Sequence, residues 1–223
     1  MIKASLFLGT VLLASAVMAV PVTLINGTTQ GNYNNSLGTV LDLTNPYLGT
    51  HLFPGANVST GDPSLNIPAG SAPDLSAASA QLGNWLTNPG ALTGSWSGPT
   101  AIPSGWAVNT ETAIVYTLNS ATGYDAVTAS FGVDNGVFLW VDGVFQGGYL
   151  RPGGASLGEH VFNLGSLSAG THYLQVLAED HGGGTGYAIK VTGEVGAVPE
   201  PTTVALMGLG LLGVFAAGRR RKA

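Results

Sequence analysis

The chain has 223 residues and a net charge of −5, with 34 glycines, 12 prolines, no cysteine and only 9% charged residues. These counts exclude a disulfide scaffold, a thiolate zinc site, a coiled coil and a basic nucleic-acid arm, so nucleic acid is not an expected partner. The 45% hydrophobic fraction is enough to bury a core, although the positive mean hydropathy of +0.31 comes largely from the two ends.

In chain order, Lys3 precedes an apolar run from Leu6 to Val17 and then Met18-Ala19. One positive charge, an apolar stretch of that length and small residues at its end define a secretory signal helix over residues 1–19. Residues 20–74 are rich in Gly, Asn, Thr, Ser and Pro, with strands expected at Val22–Ile25, Leu37–Leu43 and Tyr47–Phe53. Pro54–Pro73 reads as a long loop, with prolines at 54, 63, 68 and 73. The one helix is expected at Asp74–Thr87. Asp74 caps it, Leu75, Ala78, Leu82, Trp85 and Leu86 form an apolar face, and Asn88-Pro89-Gly90 stops it.

From Trp106 onward strand patterns recur at short intervals: Glu111–Leu118, Ala126–Val133, Val137–Val141, Val144–Leu150, Glu159–Leu164, Thr171–Glu179 and Tyr187–Gly193. Gly-rich turns separate them, Asp134-Asn135-Gly136 among them, and Asp142-Gly143 predicts a type I′ hairpin. This spacing predicts an all-β sandwich body over residues 20–197. Tyr187, Ile189 and Val191 alternate with Ala188, Lys190 and Thr192, so the last strand should keep one wet face. The chain then ends in Val198-Pro199-Glu200-Pro201, an uncharged stretch from Thr202 to Gly218, and Arg219-Arg220-Arg221-Lys222. As a helix, residues 202–218 would span about 25 Å of a ~30 Å hydrocarbon layer. The basic cluster would stay cytoplasmic and the body outside.

This tail resembles the PEP-CTERM sorting signal of bacterial exported proteins: a Pro-Glu-Pro motif, a short apolar helix and an Arg-rich end, in order, over residues 198–223. The resemblance implies a membrane transpeptidase of the exosortase type as partner. It also implies transient residence in the inner membrane, and release or anchoring at the cell surface or in the extracellular matrix of a bacterium that often makes exopolysaccharide. Residues 84–193 resemble the galactose-binding-like jelly rolls common in such proteins, through Trp106, Glu111–Tyr116, Phe131–Val137, Trp140–Gly143, Leu167–Gly170 and Gly182–Gly186. That resemblance implies a jelly-roll β-sandwich and contact with polysaccharide or other surface glycans.

Between the two ends, residues 20–198 carry two basic residues against eleven acidic ones, a net charge of −9, which disfavours polyanionic partners and leaves neutral glycans and cations open. If successive strands alternate in direction, the segments 134–136, 151–158 and 180–186 meet at one end of the sandwich. That end gathers Asp134, Asn135, Arg151, Glu179, Asp180 and His181, with Tyr149 flanking. An aromatic face beside planar amide, carboxylate and guanidinium groups is the chemistry that grips a sugar, so these residues are the candidate glycan site. Calcium is the alternative occupant for Asp134, Glu179 and Asp180, and no metal site is otherwise expected, since the histidines at 160, 172 and 181 read as isolated surface residues.

Catalysis is not expected. Gly154-Ala155-Ser156-Leu157-Gly158 matches the nucleophile-elbow pattern but precedes a strand where a helix is required. Gly208–Gly213 matches G-x-G-x-x-G inside the apolar tail, where small residues of a membrane helix explain it. The expected role is that of a non-catalytic surface or matrix protein that contacts glycans. The alternatives are a purely structural surface protein and a secreted hydrolase.

Overall fold

A computed structural model of the chain describes residues 19–42, 64–151, 153–180 and 182–195, together with Gly210. The expected signal helix, the strand at Tyr47–Phe53, the Val198–Pro201 motif and the membrane helix fall outside those residues. Among the described residues, no helix is long and apolar enough to cross a membrane. The chain divides into two units, Pro21–Val195 and a second formed by Met1–Val20 with Gly196–Ala223. The first is the β body.

Among the described residues ten strands build it: β1 (Val20–Ile25), β2 (Gln30–Gly38), β3 (Leu65–Ile67), β4 (Thr100–Ala101), β5 (Glu111–Ser120), β6 (Tyr124–Val141), β7 (Val144–Arg151), β8 (His160–Leu167), β9 (Gly170–Glu179) and β10 (Gly186–Val195). The 18-residue β6 belongs to two sheets. Its first half pairs with β10 and β8, and its second half with β7 and β9. Sheet one therefore runs β1-β10-β6-β8, and sheet two runs β3-β7-β6-β9-β5-β2-β4.

The expected turn at Asp134-Asn135-Gly136 does not form, because the chain continues through it from one sheet to the other. Val133 and Val137 on either side are both fully buried in the same core, so an unbroken apolar register outweighs the local turn composition. The Asp142-Gly143 hairpin forms as expected. Asp142 and Gly143 have φ of 51° and 77°, the pair of positive values a type I′ turn needs.

Two cores flank sheet two. Ile114, Tyr116, Phe131, Leu139, Leu174, Val176 and Ile189 fill the space between the sheets. Ala113, Val115, Phe138, Trp140 and Leu177 point the other way, against a cover made of Leu37, Leu41, Leu82 and Trp85. Sheet two is thus buried on both faces, which is why β5 and β9 read as continuous apolar runs. Sheet one keeps one wet face, as the alternation in β10 predicts: Lys190 is exposed while Ile189 and Val191 are buried.

The expected helix Asp74–Thr87 is shorter than its apolar face suggests. A 3-10 turn, Ser76–Ala78, leads into α1 (Ser79–Leu82), and turns continue to Thr87. Asp74 accepts the Ser76 N–H at 2.9 Å, a local cap. Gly83 ends the helix. It has φ +58°, and a Cβ there would lie 2.0 Å from the Thr93 carbonyl oxygen, so no other residue fits without moving backbone. The apolar residues of the expected face still pack as one set against sheet two, with Ala78, Leu82 and Trp85 buried.

β3, β4 and most of β2 are absent from the sequence reading, which places a loop at Pro54–Pro73 and a strand at Leu37–Leu43, where β2 ends at Gly38 and a 3-10 turn follows at Val40–Asp42. β2 is Gln-Gly-Asn-Tyr-Asn-Asn-Ser-Leu-Gly, a composition depleted in strands. It is held by tertiary bonds. Asn34, fully buried, donates from Nδ2 to the Gln81 carbonyl at 2.7 Å and so ties the cover to the sheet.

Candidate functional site

The strand register, not loop alternation, brings most of the predicted end together. Asn135 lies opposite Arg151, Gly136 opposite Glu179, Glu111 opposite Glu179, and Asp134 opposite Gly186. Burial then separates these residues by what they can reach. Asn135, Glu179 and Asp180 are 0%, 1% and 2% exposed and serve the interior. Asp180 accepts the backbone N–H groups of Asn109, at 2.5 Å, and of Gly182, at 3.1 Å, which ties the entry of β5 to the loop after β9. His181 lies outside the described residues.

Half-buried Asp134, Tyr149 and Arg151 remain near the surface. Burial raises the Asp134 carboxyl above its ordinary value, opposed by a hydrogen bond from the Gly154 backbone. Arg151 pairs with carbonyl groups on β3, donating to the Leu65 carbonyl at 3.0 Å and to Asn66 Oδ1 at 2.8 Å. Its guanidinium carbon sits 5.6 Å from the centre of the Tyr149 ring, within cation–π range. Tyr149 is stacked in turn on His160, with ring centres 5.6 Å apart and planes 12° apart.

His160 is a correction to the sequence reading, which places it on the surface. It is 1% exposed. Burial, with Arg151 nearby, pushes its imidazole down to about 4 despite a hydrogen bond to the Val133 backbone, so it is neutral at ordinary pH. Among the described residues, no group of three His, Asp or Glu side chains is placed to hold a metal ion.

At the other end, three residues fall in the order of a hydrolytic triad. Ser168 Oγ lies 3.4 Å from His172 Nε2, and His172 Nδ1 lies 2.6 Å from Asp142 Oδ2. His172 Nε2 is also 3.0 Å from the carbonyl oxygen of Ser168, which can only accept. His172 thus bridges the Ser168 carbonyl and the Asp142 carboxylate through its two ring nitrogens. The Asp142 hydrogen bond accordingly holds the imidazole above its usual value. Nε2 is closer to the Ser168 carbonyl than to Ser168 Oγ, and the arrangement fastens the β6–β7 turn to β9 through His172 and Asp142. Ser156 of the G-x-S-x-G match sits in a loop that runs into β8, without the helix a nucleophile elbow needs.

An open groove that the sequence reading does not anticipate lies where the cover meets the outer face of sheet two. It encloses about 520 Å³ and is lined by Asn32 of β2, Thr117 of β5, Tyr173 of β9 and the segment from Pro89 to Pro99, including Trp96 and Ser97. Thr117 and Tyr173 are direct cross-strand partners. Trp96 stacks on Trp85 with ring centres 6.0 Å apart and donates its indole N–H to the Leu82 carbonyl at 3.3 Å. The one sequence signal is a tryptophan standing in the loop Gly94-Ser95-Trp96-Ser97-Gly98-Pro99, where no packing pattern calls for it.

The C-terminal segment is decided by comparison with known proteins, because residues 197–222 match a family described as the PEP-CTERM protein-sorting motif. This chain carries a PEP-CTERM sorting motif. The match covers the residues on which the sequence resemblance rests, and the PEP-CTERM motif is the mark of an exosortase-sorted surface protein. No curated protein matches the chain. Among solved structures, a match is the CBM36-1 domain of a multidomain xylanase from the hindgut metagenome of Trinervitermes trinervoides. It is 16% identical, spans 61% of this chain and all of that one, and has a TM-score of 0.27, too distant to argue from.

Proposed function

We propose that the protein is exported through its signal segment, 1–19, and held in the inner membrane by residues 202–218. In this reading an exosortase-type transpeptidase processes it at Val198-Pro199-Glu200-Pro201, and the body is delivered to the cell surface or matrix, where it contacts glycans without catalysis. The observation that carries the reading is the sorting motif at residues 197–222. Arg219, Arg220, Arg221 and Lys222 hold the tail's end in the cytoplasm by charge. The jelly-roll winding of the sandwich and the two terminal helices belong to the same proposal. So does glycan contact, supported by an acidic body whose open groove is uncharged.

Mass spectrometry of the native surface fraction tests the sorting. The expected mature form begins after Ala16 or Ala19 and ends near the Pro-Glu-Pro motif, without residues 202–223. Replacing Glu200 with Ala should leave the tail attached and the protein in the inner membrane. A full-length chain in the cytosol overturns the reading.

A further inference from the structure

We infer that the groove between the cover and sheet two is the glycan-binding site of the body, and that its ligand is a neutral oligosaccharide. The inference rests on the glycan-contact reading above and moves it from the predicted end to a different face.

Three features of the groove carry it. The first is chemistry: the groove presents two aromatic side chains, Trp96 and Tyr173, an amide, Asn32, and two hydroxyls, Ser97 and Thr117. A pyranose offers an apolar face of C–H groups and a rim of hydroxyls, and this lining supplies a partner for each. The second is charge: among the described residues no Asp, Glu, Lys or Arg lines the groove, in a body whose net charge repels polyanions. The third is rigidity. Ser97 N–H donates to the Tyr33 carbonyl at 2.9 Å, and Tyr33 N–H donates to Ser97 Oγ at 2.9 Å. Asn32 Nδ2 donates to the Ser97 carbonyl at 2.6 Å. Asp142 brackets Tyr173, accepting its N–H at 2.7 Å and donating to its carbonyl at 2.9 Å. A wall held this way spends little binding energy on ordering itself. The volume, about 520 Å³, lies within the ~300–1,000 Å³ range of small-ligand sites.

At the predicted end the corresponding polar groups are turned to internal use. Asp180 holds two backbone N–H groups, and Asn135 and Glu179 are sealed from solvent.

The test uses the full-length protein in detergent micelles with soluble neutral glucan, mannan and galactan as probes and alginate as the polyanionic control. Binding is read by retardation in affinity gels and by tryptophan fluorescence. At least one neutral polymer should retard the native protein. Thr117→Glu, which adds charge and bulk at an exposed position without removing packing, should weaken that binding tenfold or more. Trp96→Ala should do the same, with its melting midpoint compared so that loss of fold is recognised. Arg151→Lys should leave binding within twofold. Binding kept in the groove variants but lost in Arg151→Lys would overturn the groove while leaving the glycan role intact. Retardation by alginate alone, or by none of the four polymers, would overturn the neutral-glycan assignment itself, whatever the mass spectra say about sorting.

Discussion

Two histidines set opposite pH dependences, and each is explained by what touches it. His160 is buried neutral with its imidazole pushed down to about 4, against an ordinary 6.5. Between those values the unfolded chain binds the extra proton and the native one does not, so stability falls as pH drops from about 6.5 toward 4. Melting midpoints of His160→Phe should show a shallower acid slope than the native protein. His172 is held above 6.5 by Asp142. Its contribution is full below 6.5 and is lost as pH rises through the raised value. The His172–Asp142 pair is partly solvated, so its effect is small, and His172→Gln should remove the alkaline-side drift without changing the fold. In the core, Tyr116 and Tyr187 share a 3.3 Å hydroxyl contact, and burial pushes the Tyr116 phenol up to about 12. Neither ionises at any ordinary pH.

At the scale of elements, the cover from residues 74 to 97 is the segment on which sheet two depends. Trp85 contacts Trp140 edge-on, with ring centres 5.3 Å apart, and its carbonyl accepts from buried Gln175 Nε2 at 2.9 Å. Trp85→Ala should cost about 3–5 kcal/mol by calorimetry or denaturant titration, the usual range for deleting a buried large aromatic. Gly83→Ala should also destabilise, because the new methyl would meet backbone oxygen with no room to yield. Its Asn84 neighbour clamps the following loop through the Ala91 carbonyl and the Thr93 N–H, both at 2.8 Å. Disturbing this corner should therefore weaken the groove wall as well, and glycan binding by Gly83→Ala should fall along with its melting midpoint.

At the scale of the whole molecule, delivery and body answer to different physics. In the proposed delivery the ends are read through charge and hydropathy along the chain, and that information is linear. The sorting motif was accordingly legible in the residues themselves, as was the sandwich class, because strand length, turn composition and alternation are local properties. Six of the seven strands expected after Trp106 lie within observed ones, and the seventh, Glu159–Leu164, starts one residue before β8. β2, β3 and β4 were missed because a Gly- and Asn-rich segment or a run of two or three residues carries little strand signal, and only the partners on β5, β7 and β2 make them strands.

The candidate site divides along the same line. The sequence by itself determined that the chain bears a sorting motif and an acidic β body, since these depend on residue order and composition alone. Tertiary structure decided which polar groups face water. It passed β6 through an apparent turn, sealed Asn135, Glu179 and Asp180 inside, and opened a groove between Trp96 and Tyr173, residues 77 positions apart. Burial is set by what lies across a sheet rather than along a chain, and that pairing is fixed only when the two cores close together.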